Sequence, residues 1–254
     1  MRPVLFSVMG FNVFAAPIFA GLSSLAGFLY FRASVNRMKL SLDDLWNLVF
    51  LIAVGVVGGA LLFYAIFYNG GLANNLSFFA KTKRIPGGSF WGSFWTPFAF
   101  AYIYCRVKQI DFKRVADSIG LSAVLALAIM RIGCFLNGCC YGAPTTLRWG
   151  VRYTDPHCSS YRFLSGQTLH PTHLYESLGS LSIFFLVYFV FVKKERLKPG
   201  GAFVVAVVLY SILRFAVDFI RGGDAGISWA WQLTTAQLIS IASAAGSLLW
   251  YRRL

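Results

Sequence analysis

Ser118-Ile-Gly-Leu-Ser-Ala-Val-Leu-Ala-Leu-Ala-Ile-Met130 runs without a charge and stops at Arg131, which opens Arg131-Ile-Gly-Cys-Phe-Leu-Asn-Gly-Cys-Cys-Tyr-Gly142. Thirteen apolar or small residues are too few to cross a bilayer, which takes about 20. The spacing therefore predicts a span that begins near Val115 and carries Arg131 at its end. The rest of the 254-residue chain agrees with a membrane setting. Hydrophobic residues make up 57%, aromatics 17% and charged residues 13%, the last about half of the ~25% usual in globular chains. Mean hydropathy is +0.65. So few charges cannot cover a soluble surface of this size, and disordered, collagenous and disulfide-scaffold classes fall with the same numbers. The net charge of +14 points to anionic lipid headgroups and cytoplasmic loops rather than nucleic acid.

Working outward, Pro3–Tyr30 is an uncharged stretch, too long for the apolar part of a signal peptide and read as a retained first span. Leu45–Tyr68 and the aromatic-rich Phe90–Cys105 come next. After the Val115–Arg131 span follow Leu178–Val192, Ala202–Leu213 running into Arg214, and Leu233–Trp250. The expectation is an all-α integral membrane protein. Seven transmembrane helices form a single domain over residues 1–254, since continuous apolarity without alternation favours helices over a barrel. Arg32, Arg37, Lys39, Arg106, Lys108, Lys113, Arg114, Lys193, Lys194, Arg196, Lys198, Arg252 and Arg253 fall on one side, against Arg2, Lys81, Lys83 and Arg84 on the other. The bias places the N-terminus outside and the C-terminus in the cytoplasm. Residues 70–86, with Lys81, Lys83 and Arg84 beside Phe78 and Phe79, suit a membrane-surface arm.

The segment between spans 4 and 5, residues 131–176, is then extracytoplasmic. It holds all three histidines and four of the five cysteines, and a polar connection this long is usually functional. Arg131 followed by Gly133, Gly138 and Gly142 suits a phosphate-sized anion, because Arg offers a fixed fork of donors and Gly lets backbone N–H groups approach. A helix C-terminus with a glycine stop explains the same residues equally well. In Leu169-His-Pro-Thr-His-Leu-Tyr-Glu-Ser177, a helix begun after Pro171 brings His173 and Glu176 together. Cys139, Cys140, His157 and Cys158 match no zinc-ligand spacing, so no metal is expected. Disulfides among the four loop-region cysteines suit an oxidising compartment, with the pairing open. Cys105 reads as a plain buried thiol.

Ionisable residues inside a span are functional by default, given their cost in hydrocarbon. Tyr210, Arg214, Asp218 and Arg221 are spaced so that one helical face carries all four. An Arg214–Asp218 pair neutralising itself is the plain alternative. It leaves Arg221 unpaired, which favours a bound anion.

These three sets, in this order, resemble the prolipoprotein diacylglyceryl transferase family. That family's G-R-[IL]-G-N-F-[IL]-N-G-E-x-[WY]-G pattern stands here as Met130 to Gly142. Its H-P-[ST]-Q-L-Y-E pattern stands as His170 to Glu176, and Y-x3-R-F-x2-E-x2-R as Tyr210, Arg214, Phe215, Asp218 and Arg221. Gly59-Ala-Leu-Leu-Phe-Tyr64 with Tyr68-Asn69 is similar to G-A-R-L-x-Y…Y-N, and Gly87-Gly88-Ser89-Phe90-Trp91-Gly92 to G-G-x-S-F-H-G-G.

The resemblance implies a bacterial inner-membrane enzyme that moves the diacylglyceryl group of phosphatidylglycerol onto the lipobox cysteine thiol of a preprolipoprotein, releasing glycerol 1-phosphate. No cofactor is implied. By position it gives Arg131, Arg214 and Arg221 the departing phosphate, with Asn137, Gly138, Gly142, Tyr210, Asp218, His170 and Gly88 around the substrate. His173, His170, Glu176 and Asp218 are of proton-accepting type. The sequence departs from the pattern at Leu61 (for Arg), Trp91 (for His), Cys134 (for Asn), Cys139 (for Glu), His173 (for Gln) and Asp218 (for Glu). Three readings follow. They are the standard reaction, the same lipid donor with another acceptor protein or small molecule, and a lipid-binding paralogue without turnover.

Overall fold

The N-terminal apolar stretch resolves into two kinds of structure in the computed structural model, which describes residues 3–8, 11–67, 72–82, 90–158, 160–161, 166–221 and 233–252. Val4–Val8 (β1) and Phe11–Phe14 (β2) pair antiparallel, with Val4 opposite Phe14, Ser7 opposite Asn12, and a bulge between Val4 and Phe6. The Ser7 hydroxyl donates to Asn12 Oδ1 at 2.7 Å. Helix α1, Ala15–Ala33, starts only after this hairpin. The expected span from Pro3 is thus shortened by a hairpin that precedes an otherwise helical chain. Val, Phe and Ser in short runs favour a pleated ribbon, and uncharged length alone does not separate strand from helix.

Among the described residues, five helical segments are long and apolar enough to cross a membrane: Ala15–Ala33, Leu42–Ile66, Phe112–Asn137, Thr172–Val192 and Gly201–Asp218. They leave large apolar side chains uncovered, among them Leu25, Phe50, Val57, Leu178 and Ile212. Such faces suit hydrocarbon, not water. The chain divides into two compact units, residues 34–115 and residues 1–33 with 116–254.

In the first unit, α2 (Val35–Met38) precedes α3 (Leu42–Phe67), α4 (Leu72–Thr82) and α5 (Phe90–Val107). Ser41 caps α3: its hydroxyl accepts the Asp44 N–H at 3.0 Å and donates to Asp44 Oδ2 at 2.6 Å, a local start signal of the capping-box kind. Gly55 lets α3 approach α5 so closely that an added Cβ would lie 2.7 Å from Pro97 Cα. Helix α4 covers the described part of the surface-arm expectation, with Phe78 and Phe79 exposed. Lys83 and Arg84 lie outside the described residues.

The second unit holds the hairpin, α1, α6 (Phe112–Asn137), α7 (Thr172–Leu186, continued by a wider π turn over Val187–Val192), α8 (Gly201–Asp218) and α9 (Thr235–Arg252). Its apolar core joins Leu121 and Val124 of α6, Ile183, Phe184 and Val187, and Ala202 and Ala206 of α8. Small residues set the spacing, as is usual in membranes. A Cβ on Gly120 would meet Phe203 at 2.8 Å, and one on Gly179 would meet Leu213 at 2.5 Å. Helix α6 continues six residues past Arg131, so the guanidinium leaves the side of a helix rather than its end.

Asp117 fixes the other end of α8. Its carboxylate accepts the N–H of Gly200 at 2.8 Å and of Phe203 at 2.7 Å, satisfying donors that a helix start leaves free. Replacing Asp117 with Ala is expected to lower stability by about 0.5–2 kcal/mol, with Asn recovering part of it. Thermal unfolding of the purified protein in detergent checks this, and an unchanged midpoint in Asp117→Ala would remove the cap from the account.

Candidate active site

Pro171 ends the polar segment and Thr172 begins α7, the position where proline's fixed φ suits a helix start. The Thr172 hydroxyl donates to the Cys140 carbonyl at 2.9 Å, and Ser177 Oγ to the Ala128 carbonyl at 2.6 Å. These bonds press the first two turns of α7 against α6. The Glu176 carboxylate, 3% exposed, is thereby brought to Arg131 across a separation of 45 residues.

Glu176 is the hub. Oε1 accepts Arg131 Nη2 at 2.8 Å and the Tyr210 hydroxyl at 2.8 Å, while Oε2 faces Arg214 Nη1 at 3.3 Å. Arg214 Nη2 also pairs with Asp218 Oδ1 at 3.2 Å. Asp218 Oδ2 accepts a short hydrogen bond from the Thr234 hydroxyl. The i,i+4 pairing considered for Arg214 and Asp218 is thus present, yet it does not close the charge balance. Arg131 and Arg214 share two carboxylates, and among the described residues a third guanidinium, Arg221, has no part in the pairing.

Arg221 supplies the excess. It was expected on the face of Tyr210, Arg214 and Asp218, but α8 ends at Asp218. Arg221 lies three residues beyond, bridged through its backbone to Gly142. Among the described residues it makes no ion pair, and its buried Nε has no hydrogen-bond partner.

The glycines behave differently from an anion cradle. Gly133 is inside α6, where an added Cβ would meet Phe19 at 2.6 Å. Gly138 ends that helix with φ +69°, its N–H on the Phe135 carbonyl at 3.3 Å, the left-handed stop that suits glycine. Gly142 donates to the His170 carbonyl at 3.0 Å, and a Cβ there would lie 2.5 Å from His170 Cβ. Close backbone packing, rather than an N–H offered to phosphate, is what Gly138 and Gly142 do here.

His173 and Glu176 do share one side of α7, but their partners differ. His173 is 1% exposed, with Nε2 on the Cys139 carbonyl and Nδ1 buried without a partner. Phe135 and Tyr153 close over its ring edge-on. His170 is only half-buried. Its Nδ1 lies 3.4 Å from the Tyr175 hydroxyl, which accepts the Trp149 indole N–H at 2.8 Å. Asn137, the last residue of α6, hydrogen-bonds through its side chain to the Cys139 thiol. Gly88 lies outside the described residues, as do Tyr68 and Asn69. Trp91 sits in α5 with its side chain outside them.

All five cysteines stand as free thiols in the structure. Cys158 is buried with Tyr153 and Leu169, and exposed His157 turns to Asp155 at 3.0 Å. Cys139 and Cys140 instead join Cys134, their sulfurs all within 4.8 Å. Thiol hydrogen bonds from Cys134 and Cys139 hold Cys140 below the usual thiol range, with Arg221 and Arg131 acting the same way. Spacing did not single out Cys134, because it stands on the helix and only the turn at Gly138 folds the pair back toward it. Thr234 and Trp149 carried no signal in sequence beyond their polar groups, and Tyr175 none beyond its place in the His170–Glu176 pattern.

The sequence model of the prolipoprotein diacylglyceryl transferase family matches residues 3–252. The chain belongs to that family. It is 30% identical to the phosphatidylglycerol–prolipoprotein diacylglyceryl transferase of Clostridium tetani over 246 residues, covering 95% of this chain and 93% of the relative. The enzymes of the same name from Geobacter sulfurreducens (31%, 87% and 84% covered) and Solidesulfovibrio magneticus (35%, 83% and 76%) are similar too. Family membership covers both compact units, including the stretch that carries Leu61 and Trp91.

Breaking the hub tests the geometry. Glu176→Ala leaves Arg131 and Arg214 sharing a buried site with no carboxylate between them, and a loss of about 3–5 kcal/mol is expected. Glu176→Gln keeps the shape and loses the charge, so it falls between. Denaturation of both variants beside the parent protein reads this out. Parent-like stability of the alanine variant would mean the three groups do not meet.

Proposed function

We propose that this chain transfers the diacylglyceryl group of phosphatidylglycerol to the lipobox cysteine thiol of preprolipoproteins, releasing glycerol 1-phosphate. The observation that carries the proposal is the convergence of Arg131, Arg214 and Tyr210 on one carboxylate with Arg221 left over. The names of the relatives from Clostridium tetani and Geobacter sulfurreducens support it.

In this transfer the thiol sulfur forms a bond to a glycerol carbon of the lipid. The bond from that carbon to the phosphate oxygen breaks, and its electron pair leaves on the phosphate. Charge therefore grows where fixed cations help most, in a site with little water. Among the described residues Arg221 makes no ion pair, and Arg131 and Arg214 keep N–H donors beyond those that Glu176 and Asp218 occupy, since each guanidinium has five. Glu176 serves as the strut that aims them, and Tyr210 as a further hydroxyl beside the phosphate. Asp218 holds Arg214, and Asn137 steadies the turn through Cys139. The thiol proton needs an acceptor. We assign it to His170, whose ring is half-buried, in preference to His173, whose Nε2 is engaged and whose Nδ1 is enclosed. Gly88 is assigned to substrate binding by its place in the family's sequence pattern alone.

The proposed setting is a bacterial inner membrane, the chain being one transferase domain over residues 1–254. Phe90–Val107 and Thr235–Arg252, each 18 residues, extend about 27 Å at 1.5 Å per residue, close to the ~30 Å of hydrocarbon. With them the spans number seven, the N-terminus faces outward, the C-terminus faces the cytoplasm, and residues 131–176 meet the acceptor outside. A different acceptor is the second reading, favoured by Trp91, Leu61, Cys134 and Cys139 where the family pattern has other residues.

Protein reconstituted with phosphatidylglycerol and a lipobox peptide is expected to form the thioether. Arg131→Ala and Arg214→Ala should each cut turnover by about 10²–10³-fold, or about 2.7–4 kcal/mol. Lys at either position should not restore it, because the fork of donors is lost. Full turnover in both alanine variants would reject the phosphate assignment. A new diacylglyceryl lipid without peptide modification would point to the other acceptor.

A further inference from the structure

Cys134, Cys139 and Cys140 are the one group of potential metal ligands brought together among the described residues. Their clustering follows from the backbone. Cys134 sits three residues past Arg131 on α6, the helix stops at Gly138, and Cys140 is held at φ +59°, a left-handed conformation that is costly for a residue other than glycine. The Cys139 N–H closes onto the Cys134 carbonyl at 3.3 Å, so the two positions are locked over each other. The result is three half-buried thiols whose sulfurs lie within 4.8 Å of one another. Three sulfurs around one ion at about 2.3 Å stand about 4 Å apart. Closing the observed triangle onto an ion therefore takes shifts of a few tenths of an ångström per sulfur.

We propose that Cys134, Cys139 and Cys140 form a three-thiolate site for a soft monovalent cation of the copper(I) kind. The donor count decides between metals. Zinc takes four ligands in closed sites, and among the described residues no histidine or carboxylate joins the three sulfurs within the same reach. An all-thiolate set of three suits copper(I). Binding forms three S–Cu bonds and releases the protons that the thiols carry, with no change in oxidation state. The occupied cluster carries two negative charges, and Arg131 and Arg221, both acting electrostatically on Cys140, offset them. This assignment does not depend on the transferase reaction.

The test titrates reduced, detergent-solubilised full-length protein with copper(I) held by the coloured chelator bicinchoninate. One equivalent of copper is expected to pass to the protein, with the ultraviolet charge-transfer band of a copper thiolate. In the loaded protein Cys134, Cys139 and Cys140 resist alkylation as mapped by mass spectrometry, and Cys105 and Cys158 do not change. Cys134→Asn and Cys139→Glu place the family pattern's own residues at these sites, and their unfolding midpoints verify the fold. Each is expected to weaken copper retention by on the order of tenfold or more. Should either fail to fold, Cys139→Ser and the alkylation pattern of the parent protein still decide. Overturning results are no transfer from the chelator, equal transfer to folded Cys134→Asn, or zinc displacing copper(I). Protein purified without reductant that is lighter by two hydrogen atoms and linked between two of these cysteines would overturn it in favour of a disulfide.

Discussion

One buried carboxylate holds the site together. Glu176 accepts a guanidinium from α6, a guanidinium from α8 and a phenol from α8, so three helices meet on two oxygen atoms. Charges placed in a membrane core are costly unless paired, and a pair broken there costs more than one never made. That cost works as a positional constraint. Wherever Glu176 goes, Arg131 and Arg214 must follow, and Asp218 draws Arg214 from the other side. Gly179 and Gly120 make the approach possible by removing side chains where α8 passes closest. Packing and electrostatics thus specify the same arrangement.

The excess cation comes from a different device. Arg221 is carried not by a helix but by a backbone bridge to Gly142, with Ala143 bonded to the Ile220 carbonyl at 2.9 Å. Further bridges tie Pro144 and Val151 to Leu169, over a small core of Tyr153, Cys158 and Leu169. The described part of the polar segment therefore has a small core of its own. It joins the end of α6 to the start of α7 and to the residues just past α8. Arg221 thus reaches its place through the backbone of this segment, and among the described residues it makes no ion pair, whereas Arg131 and Arg214 are held by carboxylates.

Much of this was legible in sequence, for identifiable reasons. Uncharged length marked the membrane helices, Pro171 marked the start of α7, and i,i+4 spacing marked Arg214 with Asp218. The hairpin at Val4–Phe14 was hidden because apolar content is the same in strand and helix. Arg221 was misplaced because periodicity assumes that a helix continues, and α8 stops at Asp218. The Arg131–Glu176 contact has no local signal, since 45 residues separate the partners. Gly138 and Gly142 were read for their N–H groups, whereas their missing side chains are what the packing uses. The cysteine triangle escaped a search by spacing because a turn, not a helical repeat, assembles it.

The central claim is that the arginines of this site grip the phosphate of an anionic lipid. A structure of the protein in nanodiscs containing phosphatidylglycerol, determined by electron cryomicroscopy, tests it most directly. The expected result places the lipid phosphate within about 3 Å of Arg221 nitrogens, as charge-assisted hydrogen bonds require, with Arg131 and Arg214 also turned toward it. A headgroup bound away from all three, with Arg131 and Arg214 still held only by Glu176 and Asp218, would contradict it.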